Sequence, residues 1–140
     1  MSKNINDEKL IYFCSPNGTW VQINKNLKAL GLDTNKVVKN TYLRYFINSV
    51  INDDYLDMYK NIDVLVIDEF YENIIENNIG YEKCFEVFNQ LTKQGKQIVM
   101  AGHNQLKEFY NMPSEFMSLI SNYDLRYDLK VNLDYEVEYI

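Results

Sequence analysis

Asp68 and Glu69 are the two side chains of this sequence best placed to do chemistry. They close the run Asn61-Ile62-Asp63-Val64-Leu65-Val66-Ile67-Asp68-Glu69, in which four apolar residues stand between acids. A carboxylate pair at the end of a strand can hold a nucleotide-bound Mg²⁺ and position a water for attack. The apolar run reads as a strand buried on both faces, as in a parallel sheet. In open α/β sheets, ligands gather beyond the carboxyl ends of such strands. The same residues fit a buried strand followed by a solvated acidic turn equally well.

Other reactive side chains are sparse. His103 is the only histidine; it ends a second apolar run with no evident Ser or Cys partner, and reads as a strand-end residue rather than a catalyst. Cys14 and Cys84 lack C-x-x-C spacing, which fits two free, buried thiols in a reducing compartment. Lys36, Lys39, Arg44 and Lys60 flank a helix-like stretch in which Tyr42, Tyr45 and Tyr55 offer stacking faces, a combination suited to single-stranded DNA. A tyrosine-rich helix packed on the sheet, with solvated lysines around it, is the reading that the net charge favours. No residue is assigned a catalytic role, and no metal-ligand set is read.

The elements that must position these side chains follow from length and pattern. The sequence has 140 residues, 46% of them hydrophobic, and a formal net charge of −6. This predicts one packed domain over 1–140, with a polar lead at 1–8 and a tail at 134–140. The negative charge argues against a general nucleic-acid coat. No apolar run is long enough to cross a bilayer and the N-terminus is polar, so a cytoplasmic protein is expected.

Strands are predicted at 10–14, within 36–40 around Val37 and Val38, at 63–67, at 97–101 and at 125–133. Ser15-Pro16-Asn17-Gly18 is turn chemistry. A helix is predicted over 19–30, with Ile23, Leu27 and Leu30 on one face and Gly31 past its end. Thr41 is expected to cap a second helix, striped by Leu43, Phe46, Ile47, Val50 and Ile51. A short helical turn covers 55–59, and 70–80 reads as a loop with a helical start. Tyr81, Cys84, Phe85, Phe88 and Leu91 make a further stripe closed by Gly95, and 113–121 a last helix with Phe116, Met117 and Ile120 inward. Alternating strands and helices imply right-handed crossovers and a mostly parallel sheet between helices.

Several segments together resemble a known family. They are Tyr59-Lys60-Asn61-Ile62-Asp63-Val64-Leu65-Val66-Ile67-Asp68, Phe85-Glu86-Val87-Phe88-Asn89-Gln90-Leu91, Gly95-Lys96-Gln97-Ile98-Val99 and Lys107-Glu108. In this order and spacing they resemble the nucleotide-binding module of the bacterial replication initiator DnaA, of the AAA+ superfamily, over roughly 9–133. The resemblance implies a three-layer α/β sandwich with a five-stranded parallel sheet in the order 5-1-4-3-2. Asp68 and Glu69 then fall on the Walker B site. The family's helical lid would follow about Tyr135, so a truncated core lacking its lid is expected.

Departures from the family pattern are as informative as the match. A P-loop reads G-x-x-x-x-G-K-[ST], with Lys on the phosphates and a hydroxyl on Mg²⁺. The aligned stretch here is Phe13-Cys14-Ser15-Pro16-Asn17-Gly18-Thr19-Trp20. Gly18 keeps its place; Thr19 replaces the lysine, Trp20 the hydroxyl, and Pro16 removes a backbone donor. Ala101-Gly102-His103 stands where a polar sensor belongs, and Met117-Ser118-Leu119-Ile120 where the arginine finger belongs. Gly18, Thr19, Asp68 and Glu69 are therefore read as a degenerate nucleotide site. The expected protein is a non-catalytic DnaA-like pseudo-ATPase, with no cofactor, that acts in replication through contacts with an initiator or helicase loader. One alternative is a divergent ATPase binding ATP or ADP with Mg²⁺. The other is a single-stranded DNA binding module using Lys36, Lys39, Arg44 and Lys60. Side-by-side assembly into a homo-oligomer also follows from the resemblance.

Overall fold

The computed structural model describes residues 4–14 and 20–124. Five strands, β1 (Leu10–Cys14), β2 (Val38–Tyr42), β3 (Val64–Asp68), β4 (Gln97–Gly102) and β5 (Ile120–Asp124), form one sheet in the order β2-β3-β4-β1-β5. Every pairing is parallel. This is the expected order 5-1-4-3-2 read from the other edge.

Period-2 alternation divides the strand side chains between two cores. Ile11, Phe13, Val64, Val66, Val99 and Ala101 face one side, where Ile23 and Leu27 of α1 (Trp20–Ala29) cover them. Leu10, Tyr12, Leu65, Ile67, Ile98 and Met100 face the other. There they meet α2 (Leu43–Ile51), α3 (Tyr55–Met58), α4 (Glu72–Asn78), α5 (Gly80–Lys93) and α6 (Ser114–Met117). Phe46 of α2, Phe88 of α5 and Phe116 of α6 are fully buried in this larger core. Their ring centroids lie 5.5 Å (Phe46–Phe88) and 5.8 Å (Phe88–Phe116) apart. Each buried ring contributes about 1.5–3 kcal/mol by leaving water.

Four sequence expectations need correction. Thr41 does not cap a helix: β2 runs on to Tyr42, in register with Asp68, and α2 starts at Leu43 without a side-chain cap. Pairing with β3 outweighs the local capping preference. Residues 70–80 are not a loop, because buried Ile75 anchors α4. Gly80, at φ +80°, then makes the break to α5. The helix expected over 113–121 is the single turn α6, after which the chain becomes β5 and pairs Ile120 with Leu10 of β1. Ile51, placed on the apolar stripe of α2, is exposed. The strand expected at 125–133 lies outside the described residues.

The G-K-Q-I-V segment is architectural. Gly95, at φ +88°, ends α5. Lys96 is buried and donates from Nζ to the Lys60 and Ile62 carbonyls, both at 3.1 Å. Gln97 Nε2 donates to the Ile5 and Glu8 carbonyls, both at 2.8 Å. Lys96 thus fixes the approach to β3, and Gln97 ties the N-terminal lead to β4.

Candidate functional site

Because all strands are parallel, Cys14, Asp68 and Gly102 end at one edge of the sheet. Three local links assemble that edge. Cys14 Sγ donates to the His103 carbonyl at 3.5 Å, joining the ends of β1 and β4. Asp68 Oδ1 accepts from the Glu69 backbone N–H at 2.7 Å. Glu69 takes a left-handed conformation, φ +54°, and Phe70 N–H then donates to the Ala101 carbonyl at 2.9 Å. A non-glycine residue in that conformation carries about 1 kcal/mol of strain. The turn sends the Glu69 side chain into solvent and the Phe70 ring into the core.

Burial raises the Asp68 pKa above its ordinary value. The Glu69 N–H and nearby His103 oppose the shift, and the Glu69 charge adds to it. The Tyr71 hydroxyl is also raised, by burial first and then by Glu69 and Asp68. The Tyr71 ring lies 5.9 Å from that of His103. The carboxylate pair therefore sits with one phenol and one imidazole at the strand ends. Among the described residues, no group of three or more His, Cys, Asp or Glu side chains could hold a metal ion.

A bound Mg–nucleotide needs a phosphate cradle and a polar group from β4 as well as the acids. Gly18 and Thr19, the cradle positions, lie outside the described residues. At the end of β4, Gly102 is closed to a side chain. A Cβ added at Gly102 would come within 2.7 Å of Tyr12 Oη and 2.8 Å of the Phe70 carbonyl. Tyr12 Oη is itself held by the Asn104 carbonyl at 2.5 Å, so it cannot give way cheaply. A tyrosine hydroxyl and backbone thus fill the space beside Gly102, while His103, the polar residue of the same segment, is exposed.

The four basic candidates are not brought together. Lys36 precedes β2 and donates to Gln97 Oε1 at 2.6 Å. Lys60 precedes β3 and pairs with Asp57 at 3.3 Å, an exposed pair of little energetic weight. Both stand at the edge of the sheet opposite Asp68. Lys39 is exposed along the edge strand β2. Arg44, at the start of α2, lies with its guanidinium 6.0 Å from the Tyr42 ring centroid and 5.1 Å from that of Tyr45. Cys84 is fully buried, and burial raises its pKa so that it stays a thiol.

Sequence reasoning missed Glu72. Its carboxylate accepts from the backbone N–H groups of Tyr110 and Asn111, each at 2.8 Å, and of Met112 at 3.0 Å. The Tyr81 hydroxyl adds a fourth bond at 3.0 Å. Its three backbone partners lie 38 to 40 residues away, and no local pattern announces them.

Comparison with known proteins places this arrangement. Residues 19–123 match the model of the bacterial DnaA ATPase domain. The chromosomal replication initiator protein DnaA of Caldanaerobacter subterraneus subsp. tengcongensis is 31% identical over 99 residues, covering 69% of this chain and 22% of that protein. Among solved structures, a DNA replication initiation factor superposes with a TM-score of 0.60 at 16% identity, over 86% of this chain and 40% of the other. The replication initiator DnaA bound to AMPPCP and single-stranded DNA superposes with a TM-score of 0.57 at 18% identity, over 85% and 41%. The sequence given thus spans well under half the length of these relatives.

Proposed function

The chain belongs to the family of bacterial DnaA ATPase domains, and from that premise we propose that it works in DNA replication by contacting other proteins rather than by hydrolysing ATP. The partner in this reading is a replication initiator or a helicase loader. The observation that carries it is Gly102, whose surroundings leave no room for a side chain at that position of the segment where the family has its polar sensor. Thr19 and Trp20 at the P-loop positions support it from the sequence. Losing the charge-assisted phosphate contacts of a lysine and of an arginine finger lowers turnover by orders of magnitude. Asp68 and Glu69 then remain as structural acids that turn the chain from β3 into the core.

The test is titration calorimetry of the purified chain against the full-length initiator and against the helicase loader of the same cell. A saturable complex with one of them, unchanged by omitting nucleotide, is expected. Failure to bind either, or binding only in Mg–ATP, would overturn the proposal.

A second reading rests on Arg44. A guanidinium lying over exposed Tyr45 and near Tyr42 is suited to a stacked, single-stranded nucleic acid. It predicts salt-dependent binding of a fluorescent oligonucleotide, weakened in Arg44→Ala. Anisotropy that stays flat at low salt would remove this reading.

A further inference from the structure

The sheet is open along β2. Among the described residues that strand pairs with β3 alone. The Val37 carbonyl accepts from Val64 N–H at 3.1 Å. In a parallel ladder a residue turns both backbone groups to the same neighbour, and successive residues alternate. Val37, Lys39 and Thr41 therefore bond inward to β3. Val38 and Asn40 turn N–H and C=O outward, where no described residue bonds them. Such an edge is a template for a further strand.

A groove of about 290 Å³ opens beside this edge, between α1 and the segment leading into β2. Leu32 and Val38 give it apolar surface, and Lys28, Lys36 and Asp33 are its charged lining. Asn24 also lines it, and Asn24 Oδ1 is closed to water with no donor among the described residues. Asn40 Oδ1, on the same face of β2 as Val38, is in the same state. Buried polar atoms nearly always have a hydrogen-bond partner. Two acceptors lacking donors beside one open strand select an occupant that brings donors.

We propose that β2 receives a strand from a second copy of this chain, formed by Leu133-Asp134-Tyr135-Glu136-Val137-Glu138-Tyr139. This segment alternates apolar residues with three acids and holds no proline, glycine or base. Laid along β2, it sends its acids to one face and its tyrosines to the other. The tyrosines suit the groove: a ring against Leu32 and Val38, and a hydroxyl as the donor for Asn24 or Asn40 Oδ1. The acids then meet the face of exposed Lys39, where Arg44 begins α2. Pairing β2 with the β2 of another copy would instead gather the Lys39 and Arg44 charges of both. β2 and β5, which this segment follows in the sequence, are opposite edges of the sheet. The joined surfaces therefore differ, and copies add head to tail.

Sedimentation equilibrium of the full chain over a wide concentration range tests this, with amide hydrogen exchange at Val38 and Asn40. The expected result is association that grows with concentration and slows exchange at both amides. Lys39→Glu, and separately Asp134→Lys/Glu136→Lys/Glu138→Lys, should each weaken association roughly tenfold or more. Combining all four substitutions in one chain should restore it. Lys39 is exposed, so its variant folds. A chain that stays monomeric at every concentration would overturn the proposal, even with both amides protected, since its own segment would then cover the edge. Association that neither variant weakens, or that the combined variant fails to restore, would overturn it too.

Discussion

In the proposed reading Asp68 keeps its place in a family pattern as a structural acid. Its carboxyl is partly removed from water at the end of β3, and burial raises its pKa. A raised carboxyl pKa favours the protonated native state. The sign follows: near neutral pH the native state bears the cost of a charge it holds badly, and below the ordinary aspartate range that cost is gone. Asp68→Asn keeps the acceptor for Glu69 N–H and drops the charge. It should raise the stability slightly at pH 7, solvent screening of the half-exposed carboxyl keeping the gain small, and the gain should fade as pH falls through the raised pKa into the ordinary aspartate range. Urea unfolding at several pH values checks this; a loss of stability at pH 7 would contradict it. Gly102→Ala tests the filled sensor position. Its Cβ would press on Tyr12 Oη and the Phe70 carbonyl, an overpacking that should cost about 1–3 kcal/mol. An unchanged urea midpoint would mean that the space is open after all.

At the scale of elements, what could be read in the sequence was whatever repeats with a regular period. The apolar runs of β1, β3 and β4 and the stripe of α5 announce themselves, because continuous apolar runs and 3.6-residue spacing are local signals. Thr41 was misread because its capping chemistry is local, while the pairing with Ile67 that holds it in a strand is not. The 70–80 segment reads as a loop because Asn73, Asn77 and Asn78 disfavour helix on their own account, whereas burial of Ile75 against the core selects it. Ile120 was given a helical role that its pairing with Leu10 overrides. Asp68 and Glu69 were legible because strand ends are; the Glu72 grip on Tyr110, Asn111 and Met112 was not, since nothing near Glu72 encodes it. Glu72→Gln keeps the shape of the side chain, removes its charge and replaces one of the two accepting oxygens by an amide NH₂. It should cost about 1–3 kcal/mol. Hydrogen exchange at Tyr110, Asn111 and Met112 should speed up selectively, while amides of β1 and β4 keep their protection. Uniform loss of protection would show that the grip is not a local device.

The whole molecule is a parallel sheet between helices, with the strand order of a DnaA nucleotide module and its strand ends gathered at one edge. Among the described residues no helix is long and apolar enough to cross a membrane. The fold is intact: both faces of the sheet are covered and the aromatic core around Phe46, Phe88 and Phe116 is closed. In the proposed reading, the departures from the family pattern at Thr19 and Trp20 remove turnover while the described scaffold keeps its packing. The direct test is thermal unfolding of the purified chain with and without saturating Mg–ATP. A nucleotide present at a hundred times its Kd would add about 2.7 kcal/mol, a shift of several degrees in Tm. The expected Tm is unchanged by ATP or ADP, with and without Mg²⁺. A Mg²⁺-dependent rise of several degrees that is lost in Asp68→Ala would contradict it.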